Sequence, residues 1–118
     1  MRKPILDRAE VALDFPEKYY YGSFDRDSTY DLTADSHGVH IALDRRIGER
    51  RHIAFHLHYY LLADIVNAIA ITLPKREELT AGQWDALARA SRKLDKALHR
   101  SSEHSKGKKI AQRRQKAP

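Results

Sequence analysis

Between Thr29 and Leu57 the chain alternates apolar and polar residues with a period of two, and directly after His58 the period becomes that of a helix. The alternation places Tyr30, Leu32, Ala34, Val39, Ile41, Leu43, Ile53, Phe55 and Leu57 on one face, opposite Asp31, Thr33, His40, Asp44, His52 and His56. Turn-forming residues divide the segment twice. Asp35-Ser36-His37-Gly38 offers a glycine for a left-handed position, and Arg46-Ile47-Gly48-Glu49 offers another. Three antiparallel strands are expected. Leu32 pairs with Ile41, and Ile41 with Phe55 or Ile53, because a one-residue slip would turn a strand's apolar face to water. Upstream, Glu10 to Phe15 also alternates and Tyr19-Tyr20-Tyr21 is rich in strand formers, so one or two further strands are expected there. Pro4 to Leu13 could instead open a short helix.

Beyond His58, Leu61, Leu62, Ile65, Val66, Ile69 and Leu73 share one side of a helix, with Tyr60, Asp64 and Asn67 opposite and Pro74 as the stop. Thr80 stands three residues before Gln83, the spacing of a reciprocal N-terminal cap, so a second helix is expected from Ala81 to about Arg100. On it Trp84, Leu87, Ser91, Leu94 and Leu98 form a narrow seam, while Arg89, Arg92, Lys93, Lys96 and Arg100 gather on the far side. The expected class is α+β: an antiparallel meander of three to five strands, covered on one face by two C-terminal helices. Residues 1–100 would form one domain and residues 101–118 a flexible basic tail. The tail carries Lys106, Lys108, Lys109, Arg113, Arg114 and Lys116 against Glu103 alone, with too little apolar material to offset the entropy of ordering it.

The charge is split along the chain. The whole sequence stands at +6, but residues 1–78 carry −2 and residues 79–118 carry +8. Cations in one exposed stripe and a tail can displace counterions from a polyphosphate, so the helix cations Arg89, Arg92, Lys93, Lys96 and Arg100 and the tail cations form the expected nucleic-acid surface. A solvated helix face is the bland alternative, since Asp85 stands four residues before Arg89 and cations suit a helix C-terminus. The three-and-four spacing of the apolar seam also suits helix pairing between chains, so a homodimer is expected beside the alternative of packing within the chain.

Little points to chemistry. The chain has no cysteine, which excludes disulfides, thiol nucleophiles and cysteine-based zinc sites and suits a reducing, cytoplasmic setting. No run of about 18 apolar residues or leader-like N-terminus is seen, so no membrane association is expected. Glycine-rich phosphate loops and the serine-hydrolase elbow are absent. Asp25-x-Asp27-x-Thr29-x-Asp31 opens like a calcium loop but then has Tyr30 and Ser36 where glycine and glutamate belong, so an ordinary turn is expected. Tyr19, Tyr20, Tyr21 and Phe24 could stack on bases if they faced outward, but Glu17, Asp25 and Asp27 nearby would repel phosphates. His40, His56 and His58 could converge with Asp44 on a metal, yet the spacing is weakly specific. A solvated polar face without metal or cofactor is the expectation, and a pH-responsive surface is a third reading. The chain is therefore read as a small non-enzymatic regulatory or accessory protein that binds nucleic acid. The alternative is a protein-binding adaptor or inhibitor of nucleic-acid machinery that meets an acidic protein surface.

Overall fold

The computed structural model describes residues 1–116, with the side chains of Arg76 and of residues 101–116 outside the description. The chain divides into two compact units, Met1–Thr72 and Leu73–Pro118. The first contains six strands, β1 (Arg2–Pro4), β2 (Ala9–Phe15), β3 (Lys18–Phe24), β4 (Ser28–Ala34), β5 (Gly38–Arg45) and β6 (Arg51–His58), followed by helix α1 (Tyr59–Thr72). The second holds a short 3-10 turn, Arg76–Glu78, and helix α2 (Ala81–Lys116). The α+β class is as expected, with one strand more than the upper expectation. That strand, β1, is three residues long, too short to show any period in sequence.

All strand pairings are antiparallel. Strands β1, β4, β5 and β6 form one sheet in that order, and β2 and β3 form a separate hairpin. The central pairings follow the register that keeps apolar faces together: Leu32 opposes Ile41, Ile41 opposes Phe55, and Leu43 opposes Ile53. The N-terminal segment is extended rather than helical. Arg2 to Pro4 pair with the edge of β4, and the alternation of β2 fits a hairpin in which Val11 and Leu13 turn to the half-buried side.

Very little of this unit is fully enclosed. Ile5 and Phe24 are the buried apolar residues and Ser28 the buried polar one, gathered where β1, β3 and β4 meet. The Ile5 amide donates to the Ser28 carbonyl at 3.0 Å, and the Ser28 amide donates to the Asp25 carbonyl at 2.9 Å, closing the β3–β4 turn. The apolar face of the sheet is half-open, with Leu32 and Phe55 exposed.

The two turn glycines divide their roles differently from the sequence expectation. Gly48, with φ of 78°, occupies the left-handed position in the β5–β6 turn. Gly38 has no positive φ; a Cβ there would run into the carbonyl of Leu57 on β6, so glycine is needed for close approach of two backbones.

Helix α1 begins at Tyr59, the residue after β6 ends, with no connecting loop. It touches the ends of β5 and β6, and the Tyr59 hydroxyl donates to the carbonyl of Asp35. Every residue of α1 except Leu62 is exposed, so it does not cover the sheet face as two-layer packing would require.

In the second unit the expected cap is formed: the Thr80 amide donates to Gln83 Oε1 at 2.9 Å, and the Gln83 amide donates to Thr80 Oγ1 at 3.1 Å. Helix α2 then runs as backbone to Lys116, about 54 Å at 1.5 Å per residue. It thus enters the segment read from sequence as a tail, whose side chains lie outside the described residues.

Replacing Gly38 by Ala should destabilise the protein by roughly 1–3 kcal/mol, the usual cost of inserting a methyl into filled space. Urea denaturation would measure this, with Gly22→Ala as a comparison because the atom met there is the movable end of the Tyr20 side chain.

Candidate functional site

The polar face of the β4–β5–β6 sheet follows from the register. Thr29, Asp44 and His52 form one row across the strands, Asp31, Ala42 and Ala54 the next, and Thr33, His40 and His56 a third. Residues two apart on a strand share a face, which brings Asp35, just beyond β4, beside the last row. The His40 and His56 rings stack with centroids 3.8 Å apart and planes 7° from parallel. A cavity of about 300 Å³ opens beside them, lined on this face by Asp31, Thr33, Ala42 and Ala54, where the alanines leave room that larger side chains would fill.

Two aspartate–histidine pairs flank this hollow. His40 Nε2 lies 2.9 Å from Asp35 Oδ2, and His56 Nε2 lies 3.7 Å from Asp35 Oδ1. His52 Nδ1 lies 2.7 Å from Asp44 Oδ1, whose other oxygen faces Arg2 at 3.8 Å. Asp35 is also held by the chain itself, its Oδ1 accepting from the amides of His37 at 2.8 Å and Gly38 at 3.0 Å. The hydrogen bond from His40, then those amides, hold the Asp35 carboxyl well below the usual carboxylate range. Asp31 is lowered too, chiefly by its hydrogen bond with the Met1 ammonium, 2.8 Å away.

The grouping of donors differs from the one expected. His40 and His56 do converge, but their carboxylate is Asp35 rather than Asp44, which is occupied by His52 and Arg2. His58 stands aside: its ring meets His56 at 4.7 Å and 47°, and its nitrogens do not join the donor cluster. Asp35 was readable as a turn former, and its position one turn from His40 is the signal that could have placed it in the cluster.

On α2, Arg89, Arg92, Lys93, Lys96 and Arg100 are all exposed. Arg89 is shared with Asp85 in an ion pair one helical turn away. Leu87, Leu94 and Leu98 on the seam are exposed and Trp84 is half-buried. The expected tail contacts, Lys106, Lys108, Lys109, Arg113, Arg114 and Lys116, have side chains outside the described residues.

The remaining sequence candidates resolve into local structure. Phe24 is buried and Tyr20 half-buried beneath the Arg51 guanidinium at 4.7 Å, whereas Tyr19 and Tyr21 face out. The Tyr21 hydroxyl donates to Glu10 at 2.8 Å. In the calcium-like stretch, Asp27 accepts from the Ser28 hydroxyl and pairs with Arg45, as a polar turn does.

No family model matches the chain, and neither a curated protein nor a solved structure shows significant similarity to it.

Asp35 and Asp31 have lower folded than unfolded pKa values, so the stability they contribute is complete above about pH 4 and is lost as pH falls through the folded values. Urea midpoints measured from pH 6 to pH 2.5 should fall with acid. The fall should be shallower in Asp35→Asn, which keeps the turn acceptor and loses the titrating group.

Proposed function

We propose that this protein binds nucleic acid through the phosphate backbone, acting as a non-enzymatic accessory or regulatory factor in the cytoplasm. The supporting observation is the single long helix α2, on which Arg89, Arg92, Lys93, Lys96 and Arg100 are exposed opposite an apolar seam. Cations recurring every three or four residues align along a helix and can follow a phosphate strand, but they carry no base-reading pattern. Binding of this kind is set by counterion release and weakens steeply with salt.

The binding particle is a homodimer in this reading. On α1, Ala63, Ala68, Ala70, Leu61, Leu62, Ile65, Val66 and Ile69 sweep about 220° of the circumference at 100° per residue, roughly twice the stripe that packs against one core. Its own sheet leaves it exposed, and one other α-helix is available in the described chain. A second copy supplies the missing neighbours. Asp64, the one charged residue of α1, lies outside this arc, so two copies meet without burying like charges. Such a dimer carries two basic stripes on one particle, which strengthens a phosphate-backbone contact by avidity.

The same exposed apolar arc favours a second reading, a protein-binding adaptor whose target occupies α1 and whose acidic surface meets α2.

Anisotropy titrations of a labelled duplex at two salt concentrations test the first reading. Lys93→Glu combined with Lys96→Glu should weaken binding at least tenfold and reduce the log–log salt slope by about 2, at ~0.9 per phosphate contact. Unchanged affinity and slope would remove α2 from the interface.

For the dimer, light scattering should give twice the 13.6 kDa chain mass. Ile69, within the apolar arc of α1, is half-exposed in the single chain, so Ile69→Asp should cost a monomer little, whereas in the dimer interface it buries a carboxylate and returns the mass to one chain. A wild type of one chain mass at all practical concentrations contradicts the dimer.

A further inference from the structure

We propose that Asp35, His40 and His56 form a binding site for a divalent transition-metal ion, with zinc the ion their donor chemistry suits. The first ground is register. His40 and His56 are directly opposed on β5 and β6, so the sheet ladder, not a mobile loop, sets the separation of the two imidazoles. The rings stack almost parallel with both Nε2 atoms toward one carboxylate, and because imidazole binds a metal in its own plane, coordination tilts the rings out of this stack by side-chain rotation while the strands stay in register.

Distances give the second ground. Ligand atoms about 2.1 Å from a tetrahedral zinc stand roughly 3.4 Å from one another. His40 Nε2 stands 2.9 Å from Asp35 Oδ2 and His56 Nε2 stands 3.7 Å from the other oxygen, Oδ1, and one ligand atom from each of the three residues lies within 4.8 Å of the others, so small side-chain rotations bring them to that edge. An ion placed among them replaces the hydrogen-bonded proton between His40 and Asp35 with bonds to deprotonated donors.

The third ground is the support behind Asp35. Amide donation from His37 and Gly38 fixes the carboxylate orientation before any ion arrives, leaving Oδ2, the oxygen facing His40, for coordination. Outer contacts of this kind commonly orient a metal ligand.

Two imidazoles and one carboxylate select late first-row transition ions over calcium or magnesium, which take oxygen donors. Three protein donors also leave coordination positions for water or a small ligand, and the 300 Å³ hollow that His40 and His56 help to line is adjacent. Among the described residues the Asp44–His52 pair offers two donors only, and it serves as an internal control.

Calorimetric titration of zinc chloride into chelator-treated full-length protein tests the assignment. One zinc per chain is expected, with affinity reduced at least tenfold by His40→Ala and by His56→Ala. Asp35→Asn should also weaken it while preserving the turn acceptor, and His52→Ala should leave it unchanged. Absence of binding, or binding unaffected by both cluster histidine variants, would overturn the site. Wild-type histidine NMR gives a readout independent of variant folding: the ring signals of His40 and His56 should shift with the first equivalent of zinc. Equal, gradual shifts across all seven histidines would show adventitious surface binding and reject the proposal.

Discussion

The pairing of β5 on both of its edges is the constraint on which the first unit depends. β5 exchanges backbone hydrogen bonds with β4 and β6, and its residues alternate strictly between the two faces. Holding Ile41 between Leu32 and Phe55 therefore also holds His40 between Thr33 and His56. A slip of one residue in either neighbour would turn that strand's apolar row to the wrong face, and a slip of β6 would also separate the imidazoles. Gly38 marks the start of that strand, where β5 and β6 come too close for any side chain. Fold specificity and the histidine arrangement rest on the same ladder.

What the ladder does not supply is a large enclosed core. With Ile5 and Phe24 as the buried apolar side chains, most of the apolar surface of the strands and of α1 is half-covered or open. The direct passage from β6 into α1 is part of the cause, because a helix without a connecting loop has no turn in which to fold back across its sheet. In the proposed dimer a second copy would remove this apolar area from water, which would join the assembly to the proposed activity. The proposed dimer would leave the basic side of α2, opposite its seam, available to phosphates.

Asp35 links local and tertiary structure at the other end of the sheet. Its carboxylate closes the β4–β5 turn by accepting from two amides at Oδ1, its carbonyl receives the Tyr59 hydroxyl at the start of α1, and its two oxygens face the stacked histidines, Oδ2 toward His40 and Oδ1 toward His56. A residue that is ordinary as a turn former thereby becomes the carboxylate of a three-donor cluster. Asp44 takes the corresponding role for His52, but Arg2 from β1 faces its second oxygen and no further imidazole pairs with it among the described residues.

The sequence by itself determined the elements whose causes are local. Period-two alternation selected the β4, β5 and β6 faces and narrowed the β5–β6 register to Ile41 opposite Phe55 or Ile53; Thr80 and Gln83 set the start of α2; and the basic and apolar sides of that helix follow from 100° per residue. The histidines were legible as a cluster for the same reason, since His40 and His56 share a face whatever the details of the turns. Tertiary structure alone decided the rest. β1 is too short to show a period and exists because β4 offers it an edge, as Arg2 opposes Asp31 across the pair. The choice of Asp35 over Asp44 depended on how the turn closes and on Arg2 arriving from elsewhere in the chain, and the exposure of α1 depended on the missing loop after β6. Each is a relation between segments distant in sequence, and hydropathy patterns record only which face a residue turns, not which neighbour meets it there.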